Sequence, residues 1–231
     1  MIKEFNSQHS IIWNLKFRDK IINFLKHNKV VNKQFYNLEK LHERIPRDMT
    51  IDNDWPSGVN EITTLLYDID WEVTYKNFIH YLYTVLKYDF YFQKEPNVRV
   101  HCPQPQYKNT NFRYWHNDSE KGHPPQELNI WMSLTENNEC SFELLDKNNV
   151  VKEIDSNLQS FLFFDDGSDE VMKHSYRPVV NETRVSIETR INPKDKYVEG
   201  FVGSGRMKAE FKPGGHFGYD IKLASEIYDE I

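Results

Sequence analysis

The hydrophobic period of this chain changes once, at Pro96, and that change limits what it can fold into. From Asn14 to Leu41 the apolar residues Leu15, Ile21, Ile22, Leu25, Phe35, Leu38 and Leu41 recur mostly at intervals of three, four and seven. That is the signature of amphipathic helix, interrupted near "HNKVVN". The prolines, Gly58 and acids of "RIPRDMTIDNDWPSGVNE" read as a loop, and a third helix is expected from Trp71 to Tyr88. Beyond Pro96 the runs "NVRVHC", "FRYWH", "ELNIWMSL", "CSFEL", "SFLFF" and "TRVSIETRI" are short, β-branched and aromatic, and separated by turns such as "DKNN" and "DDGS". A period of two with such punctuation predicts strands. The expectation is an α+β fold: residues 1–95 form a helical annex packed on a β-sandwich or barrel of residues 96–231, with a C-terminal tail, as one structural domain.

Composition removes several classes of function. The 231 residues are 39% hydrophobic and 14% aromatic, enough to bury a core, and the net charge of -6 offers no footprint for nucleic acid or an anionic membrane. The opening "MIKEFNSQHSIIWNLKFRDK" has no apolar signal region, and no run approaches the ~20 apolar residues of a membrane span. Cys102 and Cys140 form no CxxC, so neither a disulfide framework nor a zinc-thiolate site is expected. These features fit a soluble cytoplasmic protein with a small-molecule partner.

The chemistry concentrates where an aromatic segment ends in "WHND". On a strand, residues i and i+2 share a face, so His116 and Asp118 project together. Two histidines and one carboxylate on one face leave positions open for exchangeable ligands on a metal, and of the nine histidines His174, after "SFLFF" and "DDGS", is best placed to be the second. The bland alternative is a hydrogen-bonded surface pair. Ten residues past His174, "TRVSIETRI" alternates Arg184, Ser186, Glu188 and Arg190 on one face with Val185, Ile187, Thr189 and Ile191 on the other. An interior arginine needs an anion, which Glu188 or a dicarboxylate would supply.

HxD, a distal His about fifty residues later and an RxS ten residues beyond it resemble the iron(II)/2-oxoglutarate-dependent dioxygenase superfamily. "HSYRPVVNETRVS" is similar to its phytanoyl-CoA hydroxylase branch, and "YWHNDSEKGHPPQELNIWMSL" with "FFDDGSDEVMKHSYRPV" most resembles the streptomycin-biosynthesis StrG-type proteins. The resemblance covers roughly Val98 to Pro193. It implies a double-stranded β-helix (jelly roll, cupin) and a metal triad of His116, Asp118 and His174 for Fe(II). It further implies Arg184 with Ser186 on the distal carboxylate of the cosubstrate 2-oxoglutarate, and dioxygen as co-reactant. The activity it implies is oxidation of a small polar metabolite of the sugar or nucleotide-sugar class, in surface-polysaccharide or natural-product biosynthesis. An Asp at 118, where halogenating relatives carry a small residue, points to hydroxylation, desaturation or epimerisation. Two other readings stay open: a non-catalytic jelly roll that binds carbohydrate, and a metal cupin of another reaction type, such as a sugar isomerase.

Asn129 and Trp131 share a strand face and are candidates for the cosubstrate pocket or for packing. Arg99 and Arg113 are candidates for an anionic substrate group or for surface ion pairs. His123, in "GHPP", reads as a residue of the active-site rim, and the loop Ser119 to Gln126 as a determinant of specificity. His101 is expected in the core or just behind the active-site residues. Arg190, near the "NPKD" turn, is expected toward solvent, with Arg184 the cosubstrate anchor. "GFVGSGR" follows no βαβ strand and is not a dinucleotide fingerprint. The tail "DIKLASEIYDEI" fits a short helix packing on the barrel or on the second subunit of a homodimer.

Overall fold

The computed structural model describes residues 2–6, 8–51, 60–104, 115–124, 126–146, 148–165, 173–202, 210–211 and 224–225. Arg113, the first three residues of "FRYWH" and most of the C-terminal tail lie outside them.

Strand alternation sorts the chain into layers. A six-stranded antiparallel sheet contains β1 (Ile2–Asn6), β7 (Ser160–Asp165), β4 (Leu128–Ser133), β9 (Arg184–Pro193) and β2 (Phe90–Phe92) in that order, with β3 (Asn97–His101) also paired to β9. A smaller sheet orders β6 (Val151–Ser156), β5 (Asn137–Leu145) and β8 (Lys173–Tyr176), and His116 extends it by an isolated antiparallel bridge to His174. Successive segments from β3 onward are thus dealt between the two sheets: large, small, large, small, small, large, small, large. That is the winding of a jelly roll, or double-stranded β-helix.

Both faces of the large sheet are covered, and the period of two decides which residue meets which layer. Ile130 and Met132 of β4, Phe161 and Phe163 of β7, and Val185 and Ile187 of β9 join one large apolar cluster with the helices. Trp131, Leu162 and Phe164, one step out of phase, form a second cluster with Leu144 and Ile154 inside the roll. The helices that cover the outer face are α1 (Gln8–His27), α2 (Glu61–Leu66) and α3 (Glu72–Leu86). Phe17 of α1 and Phe78 of α3 meet edge-on with ring centroids 5.4 Å apart, and Phe78 meets Phe161 of the sheet at 6.0 Å. Asn60 fixes α2 twice: its side chain accepts from Thr63 N at 2.9 Å, capping the helix, and donates to Val100 O at 2.8 Å, tying it to β3.

Polar contacts complete the annex. Arg18 of α1 holds Glu39 at 2.8 Å and also donates to the carbonyl of Leu134, while Glu39 accepts from Glu136 N at 2.9 Å. Two strands, β1 and β2, come from the first 95 residues and enlarge the sheet. Among the described residues no helix is long and apolar enough to cross a membrane.

Candidate active site

The site is built on the two sheets at once. His116 and His174 stand opposite each other, each N–H donating to the other's carbonyl at 3.2 and 2.8 Å, and their rings lie 4.3 Å apart. Two residues on, Asp118 opens a tight turn over Ser119–Lys121 that ends at Gly122, with φ at 96°. A residue with a Cβ adopts that backbone only at a cost, so glycine lets the chain double back. His123 N then reaches Asp118 O at 3.1 Å.

The donor atoms of His116, Asp118 and His174 all lie within 4.8 Å of one another. Asp118 Oδ1 is 3.7 Å from His174 Nε2. Ligand atoms at about 2.0–2.2 Å from one ion are at most about 4.4 Å apart, so small side-chain rotations suffice to bring all three onto a first-row divalent metal. Asp118 and His174 are buried, as the geometry of a water-poor site requires. Burial drives the His174 imidazole down to about 3 although Asp118 pulls it up, so it is neutral and can ligate.

The other oxygen of Asp118 faces Arg190. Nε and Nη2 of that guanidinium donate to Asp118 Oδ2 at 3.1 and 2.8 Å. Burial alone would raise the Asp118 carboxyl; the Arg190 charge, with His174 and His123 behind it, holds it well below the usual carboxylate range. Arg190 is therefore buried rather than turned to solvent, correcting the sequence expectation. The reason is that the sheet continues past it: β2 pairs with β9 through Phe92↔Ile191 and Phe90↔Pro193, and the turn after Asp118 closes over this end.

His123 is likewise buried and not on a rim, its Nδ1 lying 2.9 Å from Glu127 Oε2, and Glu127 is 3.8 Å from Arg190 Nε. Burial pushes the Glu127 carboxyl up despite His123 and Arg190. Neither Glu127 nor the role of Arg190 is foreseen from sequence. The one available signal is that "HPPQE" spaces an acid four residues after a histidine, which a turn or helix brings into contact.

Arg184 lies at the opposite end of β9's interior face. It is fully buried and its guanidinium sits 4.7 Å from the centre of the Tyr176 ring, two residues and about 7 Å along β8 from His174. His101 is its register partner on β3, and its imidazole is held neutral, first by burial and then by Arg184 and Arg99. The Ser186 hydroxyl and His101 Nε2 are buried with no hydrogen-bond partner among the described residues, and so is Asn129 Nδ2, opposite Arg190 on β4. A guanidinium flanked by two unsatisfied polar atoms, about one short dicarboxylate from a His/Asp/His cluster, fits a 2-oxoglutarate pocket. Trp131 packs in the interior cluster opposite Glu188. Arg99 is not drawn to the cluster; its Nη1 donates to the Tyr67 hydroxyl at 2.9 Å.

No family model and no curated protein matches the chain. It is similar in structure to EctD from S. alaskensis in its apoform, at 11% identity over 94% of this chain and 82% of that one, with a TM-score of 0.48. It is also similar to a prolyl hydroxylase from Trichoplax adhaerens in complex with a hypoxia inducible factor peptide fragment, at 14% identity over 84% of both chains and a TM-score of 0.45. A third is the dioxygenase for auxin oxidation 1 from Arabidopsis thaliana in complex with 2-oxoglutarate, at 13% identity over 86% of this chain and 85% of that one, TM-score 0.43. Likenesses this distant carry no weight for the activity of this chain. The chemistry rests on its own side chains.

Proposed function

We propose that the chain is an iron(II)- and 2-oxoglutarate-dependent oxygenase that hydroxylates or otherwise oxidises a small polar metabolite, a sugar or nucleotide sugar. The observation that carries the reading is the convergence of His116, Asp118 and His174 within 4.8 Å inside a jelly roll. The sugar-like substrate class and the biosynthetic setting rest on the resemblance of the HxD and distal-His segments to StrG-type proteins. We place the enzyme in the cytoplasm, acting without nucleic acid or membrane, as a monomer or homodimer.

His116, Asp118 through Oδ1, and His174 would hold the metal. Arg184, Ser186 and the neutral His101 would bind the distal carboxylate of 2-oxoglutarate, the imidazole donating from Nε2 in the tautomer that places its proton there. When bound, the metal and cosubstrate supply dioxygen activation coupled to decarboxylation of 2-oxoglutarate to succinate. The chain's own contribution is position and dryness: Trp131, Leu162 and Phe164 wall the interior with apolar surface, and burial keeps the His174 imidazole neutral.

The test is succinate release from 2-oxoglutarate with Fe(II) and ascorbate, screened over nucleotide sugars and related metabolites. Wild-type protein is expected to turn over, and Asp118→Ala to be silent. No succinate release by wild type would reject the reading and favour a binding protein, and equal release by Asp118→Ala would reject the metal triad.

A further inference from the structure

Arg190 belongs to neither the metal triad nor the cosubstrate pocket, yet it commits its guanidinium to one oxygen of a metal ligand. Both Nε and Nη2 point at Asp118 Oδ2, while Oδ1 of the same carboxylate faces His174 Nε2 at 3.7 Å. A carboxylate on a metal can bind through one oxygen or swing to bind through both. With Oδ2 engaged by two N–H groups, the two-oxygen mode is closed.

The arginine is itself held. Glu127 lies 3.8 Å from Nε and is braced by His123 Nδ1 at 2.9 Å, and His123 N returns to Asp118 O at 3.1 Å. The turn after Asp118 is thus locked at both ends around one side chain. All four residues are at least nine-tenths buried, at 5% for Asp118, 6% for His123, 1% for Glu127 and 7% for Arg190. A cation at this depth persists only with anions arranged around it, so the geometry is over-determined.

Resting on the functional reading above, we propose that Arg190 is a positioning residue: it keeps Asp118 a one-oxygen ligand, which preserves three exchangeable positions on the metal, and it does not anchor the cosubstrate. 2-Oxoglutarate would need two of those positions and dioxygen the third, so an Asp118 bound through both oxygens would leave one too few. Groups that orient a ligand from behind typically change metal affinity ten- to hundredfold when removed.

The experiment titrates metal-free protein with Mn(II), reading free ion by electron paramagnetic resonance, then measures water-proton relaxivity of the saturated protein and its affinity for 2-oxoglutarate. Wild type, Arg190→Lys, Arg190→Gln and Arg184→Lys are compared, with a thermal melt of each. Arg190→Gln is expected to weaken Mn(II) binding about tenfold or more. Its relaxivity should fall by roughly a third, as three exchangeable waters become two. Arg190→Lys, which keeps the buried charge but not the fork, should show the same two changes in smaller degree and decides the matter if the Gln variant does not fold. Arg184→Lys should lose 2-oxoglutarate affinity with Mn(II) affinity unchanged. Unaltered Mn(II) affinity and relaxivity in Arg190→Lys and in every folded Arg190 variant would show that the ion pair merely fills the site. Loss of 2-oxoglutarate affinity in Arg190→Lys with metal binding intact would make it the anchor instead. Failure of wild type to bind Mn(II) would reject the functional reading and this inference together.

Discussion

Arg184 and Arg190 share one face of a single strand, six residues and about 20 Å apart along the backbone, and only their neighbours tell them apart. Arg184 stacks on Tyr176 beside the unsatisfied Ser186 hydroxyl, whereas Arg190 is spent on Asp118. Replacing Arg184 with Lys keeps the charge and loses the planar fork, so the apparent 2-oxoglutarate affinity should fall about tenfold or more, from the ~1.5–3 kcal/mol of a charge-assisted hydrogen bond. A calorimetric titration of metal-loaded protein checks this. The pairing of His116 with Asp118 was legible from the HxD spacing, although Asp118 stands at the head of the turn and not, as expected, on a strand with His116. The partner of Arg190 was not, since a sequence does not say over which strand end the turn that Asp118 opens will close. A pH effect follows from the same burial. His101 and His174 are held neutral in the fold, below the 6.5 of an exposed imidazole, so below that pH the unfolded chain takes up protons that the folded chain refuses. Stability of metal-free protein should therefore be flat above about pH 7.5 and fall as pH drops through about 6.5, by about 1.4 kcal/mol per unit for each histidine. Glu127, raised by burial, works in the opposite sense above 4.5 and offsets one histidine at most, while the contribution of Asp118 is lost only below about pH 4. Urea midpoints at pH 7.5, 6.0 and 5.0 measure the slope, and His101→Gln should flatten it.

Among elements, those with a long unbroken period were readable and the short ones were not. Helix α3, Glu72–Leu86, falls inside the expected Trp71–Tyr88, and α1 covers the expected first helix but begins earlier, at Gln8. The 6-residue α2 lies at the edge of a segment read as loop, because prolines and Gly58 just before it obscure an asparagine cap. The strands β1 and β2, of 5 and 3 residues, are too short to show a period and are strands because they find edges of the sheet to pair with. The end of α3 offers a test independent of the site. Lys87 closes that helix in the left-handed region at φ 58°, its N–H donating to Tyr83 O. A left-handed conformation costs a residue with a Cβ about 1–2 kcal/mol, which glycine avoids, and Lys87 is exposed with no packing to lose. Lys87→Gly should accordingly raise stability by about 0.5–1 kcal/mol in urea unfolding, without altering metal affinity; a loss of stability would show that this helix end is held in some other way.

At the scale of the whole molecule, the annex and the roll share the residues that hold them together. One apolar cluster runs from Trp13 and Phe17 of α1 through Phe78 of α3 to Phe161, Val185 and Ile187 of the large sheet, and the opposite sides of those same strands face the interior of the roll, where His116, Asp118 and His174 converge. Removing residues 1–95 would expose that apolar sheet face and take away two strands, so the fragment 96–231 is expected to aggregate and not to bind metal. The argument is sharper in the intact chain. A ligand that binds only the folded state stabilises it by RT ln(1 + [L]/Kd), about 2.7 kcal/mol at a hundredfold excess over Kd. On the proposed function, Mn(II) added to that excess would act inside the roll, on His116, Asp118 and His174. If the shared cluster makes one cooperative unit, the helical signal at 222 nm, which comes mostly from the annex, and the near-ultraviolet signal of the packed aromatics should move to higher temperature together and by the same amount. Separate transitions, with the helical one unmoved by Mn(II), would mean that the annex unfolds independently and that the sheet's outer face can stand without it.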